Sequence, residues 1–544
     1  MKDTKKRFLA AAFALALPLT LAGCGAAAQS AETARSAASV QSTASAAVLA
    51  SSAPVVSAAA SDPEDTGKTA QGSFSVTAAE GGKVTQSGSV WTITAAGTYT
   101  LTGALADGQI VVDAGDEDVV ELILDNAAIS CTAGAPILVL NADDVTVKAA
   151  EGSYNTVADL RTGDAEAEEY DAAIWSDCDL KLRGKGTLIV TGDFAKGVKS
   201  TDDLSVRNLT LKVDSADTAL RGKDSVTVES GEILLLSAHG DGVSSEGDVL
   251  ISDGAVTIQV GDDGIHADGS LTIAGGTVNI PESHEGLEAN VIHIDGGSTY
   301  VYGSDDGVNA RRGESTPLVA VTGGYLEVVT SGGDTDAIDS NGDFTMSGGF
   351  VLARGGAAMG GMAGSVDCDG SVTVTGGTII ALGGVCSVPG SGSVNTWISG
   401  TTALGAGDYT LSDSQGNEIA AFTLDGSYSG AWIASDAIEL GETYTLSCNG
   451  SAAASWTQQS ATEGSAPFGG MGGFGGGKGG MGGFGGQQPA GEAGELPSGE
   501  RPELPAGEAG ELPSGELPGR RGGGERPTMP IDGQTPLFGP GLSA

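Results

Sequence analysis

Between Ala238 and Asn341 the sequence repeats itself about every 22 residues, which restricts the possible folds more than any other feature. Each unit contains the motif Asp-Gly-(Val/Ile/Leu) or a close variant of it. The aligned apolar residues are Val243, Ile265, Leu287, Val308 and Ile338. The repeat continues backward, less regularly, through Leu220, Val198 and Ile174. Because a unit this short cannot bury its apolar face alone, the repeats must stack on one another.

Each unit reads as three short strands. After Ile265, apolar residues alternate with polar ones around Ile273 and again around Ile280, with a glycine pair at the corner between them. Helical periodicity is absent from the repeats. The pattern predicts an all-β chain folded as a right-handed parallel β-helix of about 22 residues per coil. Its hand follows from the general rule for parallel crossovers.

Changes in composition divide the chain into five parts. A signal peptide is predicted for residues 1–23, an Ala/Ser-rich linker for 24–72 and the β-helix, with an N-terminal β-cap, for 73–393. Hairpin-like strands predict a C-terminal β-rich cap over 394–450, and the Gly/Pro/Glu-rich stretch 451–544 is predicted to be a disordered tail.

The N-terminus resembles a bacterial lipoprotein signal. A basic start is followed by a short apolar stretch and then by Leu21-Ala22-Gly23-Cys24. This pattern predicts export, cleavage before Cys24 and a lipid on Cys24 that holds the mature chain to the outer, extracellular face of the cell membrane. The alternative is an ordinary cleaved signal peptide. The five other cysteines are irregularly spaced and indicate neither a disulfide framework nor a zinc site.

The formal net charge is −44, which disfavours nucleic acid as a partner and favours multivalent cations. Equivalent positions of neighbouring coils lie about 4.8 Å apart, so acidic residues that recur in the repeat form columns. Ca²⁺, which takes six to eight oxygen ligands, suits such columns. The alternative is that these residues are turn formers. The candidate calcium ligands are Asp241, Asp262, Asp263, Asp268, Glu285, Glu288, Asp305, Asp306, Asp334, Asp336 and Asp339.

Basic residues replace the acids in the earlier coils. Their side chains could hold the carboxylates of an acidic sugar, and an outward-pointing tryptophan could stack on a sugar ring. The alternatives are ordinary surface charge and packing of the tryptophan against a loop. The candidate carbohydrate-binding residues are Trp175, Lys196, Lys199, Arg221 and Lys223.

No catalytic residue is assigned, because nucleophile and phosphate-loop motifs are absent from the sequence. The enzyme that stays possible is a calcium-dependent polysaccharide lyase, with Arg221, Lys223 or Arg311 as its base.

The repeats, together with Asp107-Gly108-Gln109-Ile110, Asp171-Ala172-Ala173-Ile174 and Ala337-Ile338-Asp339-Ser340-Asn341-Gly342, resemble a family of exported clostridial β-helix proteins. Members bind calcium, cellulose and acidic sugars such as polygalacturonate, and they look like pectate lyases in fold. The resemblance implies a monomeric, calcium-binding carbohydrate-binding protein without catalysis. A calcium-stiffened surface adhesin is a third possibility. Lys196 and Thr218 depart from the acidic pattern, which places calcium in the later coils.

Overall fold

Three parallel β-sheets wind around one apolar core. The computed structural model describes residues 72–163, 165, 168–333, 335–356 and 364–465. Within these residues the regular elements are all strands, and the coil makes about 11 turns. The predicted all-β parallel β-helix is therefore confirmed. No helix of the described part has the length and apolarity that a membrane crossing needs.

Sheet 1 contains the strands that carry the aligned apolar residues. Its strands are Val90–Ile93, Gln109–Asp113, Ile137–Asn141, Ala172–Ser176, Lys196–Ser200, Leu220–Gly222, Val243–Ser245, the first parts of Ile265–Ile273 and Leu287–Ile294, Val308–Ala310, Ile338–Ser340 and Val366–Cys368. Ile174 pairs with Val198, and the pairing continues coil by coil to Ile338. The register read from the sequence is thus the register of the structure.

Sheets 2 and 3 complete each coil. Sheet 2 comprises the first parts of Gly97–Leu105 and Val119–Cys131, then Asp144–Ala149, Asp179–Gly184, Asp203–Arg207, Ser225–Val228, Asp248–Ile251, the last parts of Ile265–Ile273 and Leu287–Ile294, Leu318–Val321, Asp343–Met346 and Val372–Val374. Sheet 3 comprises the last parts of Gly97–Leu105 and Val119–Cys131, then Tyr154–Asp159, Thr187–Gly192, Leu209–Ser215, Gly231–Ser237, Ala255–Val260, Thr277–Glu282, Ser298–Gly303, Tyr325–Thr330, Phe350–Arg354 and Thr378–Leu382.

Antiparallel strands close both ends of the coil. At the N-terminal end Ser75–Ala78 pairs with Gly97–Leu105, and Val84–Ser87 pairs with Val90–Ile93. At the C-terminal end the strands are Thr396–Leu404, Tyr428–Ser435 and Thr462–Ser465, with a separate sheet of Gly407–Ser412, Glu418–Leu424, Thr443–Cys448 and Ser451–Thr457. Both predicted caps are present. The C-terminal cap continues to Ser465 rather than ending at residue 450, because its last strands complete these two sheets.

The core is built by the strict alternation of the strands. Leu180 and Leu182 point inward and are fully buried, whereas the alternate residues Lys181 and Arg183 point outward. Fully burying one Val, Leu or Ile side chain contributes about 1.5–3 kcal/mol, and the stacked coils bury such side chains continuously. Stacking therefore supplies the stability that a single repeat lacks.

The glycine of the repeat motif is required by close approach of the next coil. A Cβ on Gly286 would overlap the side chain of Val301 and lie 2.5 Å from the carbonyl oxygen of Gly307. A Cβ on Gly264 would lie 2.5 Å from the carbonyl oxygen of Gly286. Close packing between coils, as well as turn preference, thus explains why glycine follows the acidic residue in the repeat motif.

Several predictions concern residues outside the described ranges. The signal peptide of residues 1–23, the lipidation residue Cys24, the linker up to residue 71, the candidate ligand Asp334 and residues 466–544 all lie there. What was inferred about them stays a prediction.

Candidate functional site

The acidic residues of the repeat stack at the start of sheet 1. Asp241, Asp263 and Glu285 occupy equivalent positions on successive coils, followed by Asp306 and Asp336. The backbone N–H of Asp263 donates to Oδ1 of Asp241 at 3.4 Å, and that of Glu285 donates to Oδ1 of Asp263 at 3.4 Å. One carboxylate oxygen therefore supports the next coil, as a turn former would. The second oxygen stays available for other partners.

His266 neutralises the middle of this column. Its Nδ1 lies 3.1 Å from Oδ2 of Asp263 and 3.5 Å from Oε2 of Glu288. The hydrogen bonds to these two carboxylates raise the pKa of His266 to about 10. Nη2 of Arg311 lies 3.1 Å from Nε2 of His266, and Asp263, His266 and Glu288 together offer possible ligand atoms within 4.8 Å of one another.

Arg311 neutralises the same region from the side. Its Nε lies 2.6 Å from Oε1 of Glu288, and its Nη2 forms an ion pair with Asp268. Burial alone would raise the pKa of Glu288, but the hydrogen bonds from His266 and Asp263 lower it to about 2. The predicted ligands Asp268 and Glu288 are thus ion-paired with Arg311, and their role as calcium ligands stays a prediction. Each cation belongs to the repeat itself, because His266 stacks on Glu288 and Arg311 stands at the position of Asp268 two coils later.

Glu285 lies beside this region, and in the described part of the chain no Lys, Arg or His nitrogen lies within 4.0 Å of its carboxylate. Asn309 donates from Nδ2 to its Oε2 at 3.0 Å. Burial, followed by the charges of Glu288 and Asp263, raises the pKa of Glu285 to about 8. Glu285 forms a group of possible ligand atoms within 4.8 Å of one another with His284 and Asp305. A second such group consists of Asp262, Asp263 and His284.

The later coils carry four carboxylates at stacked positions, Asp306 on Asp336 and Asp339 on Asp367, which we call the carboxylate cluster. Within the described ranges no Lys, Arg or His nitrogen lies within 4.0 Å of these carboxylate oxygens. Burial, opposed by a hydrogen bond from Gly364 and reinforced by the charge of Asp306, raises the pKa of Asp336 to about 8. Burial and the charges of Asp306 and Asp367 raise that of Asp339 to about 7.

These four side chains offer only oxygen atoms, and when they are ionised no protein cation of the described ranges lies within 4.0 Å to offset their charge. Hard cations such as Ca²⁺ prefer oxygen donors, so the carboxylate cluster fits this ion better than the part of the column around His266. Asp367 pairs with Asp339 in the next coil and was missed by the sequence interpretation. The signal was present, because Val366-Asp367-Cys368-Asp369-Gly370 repeats the pattern of Ile338-Asp339-Ser340-Asn341-Gly342.

Most of the predicted basic residues Lys196, Lys199, Arg221 and Lys223, which we call the basic strip, form ion pairs within the protein. Nζ of Lys196 lies 3.0 Å from Asp171, and Nζ of Lys199 lies 2.7 Å from the other oxygen of the same carboxylate. Arg221 pairs with Glu246 at 2.9 Å, and Lys223 is exposed. This arrangement favours charge compensation over sugar binding for the strip. The sequence could not show it because Asp171 comes 25 residues before Lys196.

Trp175 is not an exposed platform. Its side chain points out of the coil, as predicted, but it is only 5% exposed because Tyr170 packs edge-to-face against it at 4.8 Å. Ala135, Leu138 and Ala172 complete this small apolar cluster. The expectation that Trp175 stacks on a sugar ring is therefore wrong for this structure, and the alternative of packing against a loop is correct.

Part of the coil is similar to proteins described as containing a carbohydrate-binding domain. Residues 87–335 match the family model described as carbohydrate-binding domain-containing protein. These residues include the first part of the acidic column and the basic strip. A protein of Acetivibrio thermocellus with the same description is 35% identical over 125 residues, which are 22% of this chain and 44% of that protein. The chain thus matches less than half of that relative's length.

One solved structure is also similar. It is described as the polysaccharide lyase-like protein from C. thermocellum, gadolinium derivative, with 25% identity. The similarity covers 53% of this chain and 88% of that chain, with a TM-score of 0.27.

Proposed function

We propose that this chain is an extracellular, lipid-anchored protein that binds polysaccharide and takes up Ca²⁺ at the carboxylate cluster. The polysaccharide is acidic and pectin-like or cellulosic. The observation that carries the calcium part is the stacking of Asp306 on Asp336 and of Asp339 on Asp367, with no protein cation within 4.0 Å of their carboxylates among the described residues. Like charges buried together are unfavourable, and a bound divalent cation removes that repulsion.

The polysaccharide part rests on the family match over residues 87–335. A long parallel β-helix also presents flat sheet faces on which an extended polymer can lie. Neither observation favours catalysis, and Arg311, one of the three candidate bases, is already held by Asp268 and Glu288. Binding without chemistry is therefore the function that the geometry supports best.

Calcium uptake is tested by titrating the purified protein with Ca²⁺ and following heat and melting temperature. Asp336→Asn and Asp339→Asn should each weaken binding by at least about tenfold. Glu314→Gln, which removes an exposed carboxylate outside the cluster, is the matched control and should bind like the wild type. Equal affinity in all three variants would exclude the carboxylate cluster as the calcium site.

Polysaccharide binding is tested by retention on insoluble cellulose and by affinity electrophoresis in polygalacturonate, with Ca²⁺ or with chelator. Retention without release of unsaturated sugars is expected. Unsaturated products would identify a lyase instead. Failure to bind any glycan, combined with calcium-dependent melting, would leave a calcium-stiffened surface adhesin.

The membrane location is tested separately at Cys24. In the producing cell the wild-type protein should partition with membranes, whereas Cys24→Ser should leave the membrane fraction. If Cys24→Ser stays with the membrane, the lipid anchor is refuted without affecting the binding proposal.

A further inference from the structure

An open cleft of about 310 Å³ lies where sheet 2 turns into sheet 3 in the earlier coils. Its polar lining consists of Lys148, Glu151, Arg183, Lys185, Arg207 and Asn208. In the strand register Lys148 lies opposite Arg183, and Arg183 lies opposite Arg207, so three cations occupy equivalent positions on three successive coils. The spacing between such positions is roughly 4.8 Å. The cleft therefore presents a row of cations parallel to the axis of the coil.

The strand alternation fixes this row on the outside. Each cation follows a buried residue at the end of its strand, as Arg183 follows Leu182 and Arg207 follows Val206. Gly184 then turns the chain at φ +130°, and a Cβ there would overlap the carbonyl group of Ala149. The turn brings Lys185 round to the same cleft.

The local charge is opposite to that of the whole protein. Lys148 pairs with Glu121 at 3.0 Å, and Arg207 pairs with Glu229 at 3.3 Å. Counting these two acids and Glu151 against four cations leaves a local charge of about +1, in a chain whose net charge is −44. At the cleft, an anionic polymer is therefore not repelled as it is by the acidic remainder of the protein surface.

Arg183 is the cation of this row that has no carboxylate partner in the described part of the chain. Within the described ranges no carboxylate lies within 4.0 Å of its guanidinium, and its Nε is buried without a hydrogen-bond partner. Buried donors are normally satisfied, and an arginine fork matches a carboxylate in a bidentate manner. An unsatisfied arginine between two other cations is the arrangement expected of an anion site.

We propose that this cleft binds the carboxylates of a uronate-containing polysaccharide that runs along the coil axis. The inference rests on the proposed polysaccharide-binding function and names its subsite. The coil spacing is close to the length of one pyranose unit, so a glycan that runs along the coil axis passes the successive cations of the row. Because the cations belong to the protein, this contact needs no Ca²⁺.

The test measures affinity for polygalacturonate in the presence of chelator and at low salt, using the full chain. Arg183→Gln and Lys185→Gln should each weaken binding about tenfold or more, whereas Lys83→Gln, which removes the same charge from the N-terminal cap, should have little effect. Lys185 is exposed, so its substitution leaves folding intact. Arg183→Lys should recover part of the affinity. Fully methyl-esterified polygalacturonate, which keeps the backbone but lacks the charge, should not bind.

The outcomes separate this inference from the proposed function. If polygalacturonate is retained only with Ca²⁺, or if the Arg183 and Lys185 variants bind like Lys83→Gln, the cleft is not the subsite while polysaccharide binding stands. Equal binding of the esterified polymer would likewise overturn the cleft assignment. If neither acidic nor neutral glycans bind under any condition, the proposed function itself fails.

Discussion

The backbone N–H of Asp336 donates a 2.8 Å hydrogen bond to Oδ1 of Asp306, so the two carboxylates are held in adjacent coils of the same column. The hydrogen bond fixes their separation but leaves their charges unneutralised. Burial raises the pKa of both groups, that of Asp336 to about 8. The fold thus holds together groups that repel each other whenever they are ionised.

The first prediction concerns the pH dependence of stability in chelator. A carboxyl whose pKa is raised in the folded state stabilises the protein fully below its unfolded pKa, and this contribution is lost as the pH rises through the folded pKa. For Glu285, Asp336 and Asp339, with pKa values of about 8, 8 and 7, the window runs from about pH 4 to pH 8. The melting temperature should therefore fall between pH 5 and pH 8, as measured by calorimetry.

Saturating Ca²⁺ should reverse this trend, because the ion binds the ionised carboxylates and stabilises the folded state by mass action. His266 also makes stability fall with rising pH. Its pKa is raised to about 10, so its contribution to stability is complete below its unfolded pKa and is lost as the pH rises through about 10. A melting temperature that rises with pH in chelator would contradict the repulsive cluster.

The second prediction concerns Asp336→Asn without calcium. The amide oxygen can still accept the hydrogen bond from Gly364, while the charge near Asp306 disappears. Each ionised neighbour repels by roughly 1 kcal/mol in water, so the variant should be about 1–2 kcal/mol more stable than the wild type at pH 8 in chelator. At pH 5 the difference should vanish. Chemical denaturation at the two pH values measures both.

The third prediction compares two neighbouring arginines. Arg311→Gln removes the partner of Asp268 and of the mostly buried Glu288, and should destabilise the protein by about 1–3 kcal/mol. Arg312→Gln breaks a pair with Asp369 in which both side chains are largely exposed, and should change stability by less than about 1 kcal/mol. Equal effects would show that the Arg311 pairs do not support the coil.

The fourth prediction concerns the repeat glycine. Gly286→Ala places a Cβ against Val301 and the backbone of the next coil, and should cost about 1–3 kcal/mol of stability. Gly390→Ala is the control, because the nearest atom to its Cβ would be the carbonyl oxygen of Val372 at 3.7 Å. Urea denaturation of the two variants gives the comparison. A tolerated Gly286→Ala would mean that the coils can move apart locally.

Much of the fold follows from the sequence because a β-helix is specified one repeat at a time. The spacing of Val243, Ile265 and Leu287 predicted a register that the structure reproduces residue by residue. The columns of acids followed directly from it. Irregular units were harder to align, and Asp367 was missed because its coil begins with Gly364-Ser365 instead of Asp-Gly.

Contacts between side chains of different columns could not be predicted in the same way. The partners of Lys196, Asp171 and Asp217, come from other coils, and Tyr170 reaches Trp175 from a loop outside the repeat. The row of Lys148, Arg183 and Arg207 was also overlooked, although each residue lies in the last two positions of a similar apolar-alternating strand. Its significance depends on which cations lack an acidic neighbour.

The sequence alone determined the coil, its period, its register and the position of the acidic column, because strand alternation and glycine spacing act within one repeat and its neighbours. The tertiary structure decided which charges remain uncompensated. His266 and Arg311 contact acids in one part of the column, while Asp336 and Asp339 have no Lys, Arg or His nitrogen within 4.0 Å in the described part of the chain. The reason is physical: an ion pair depends on distances of a few ångströms between long side chains, and repeat spacing does not specify those distances.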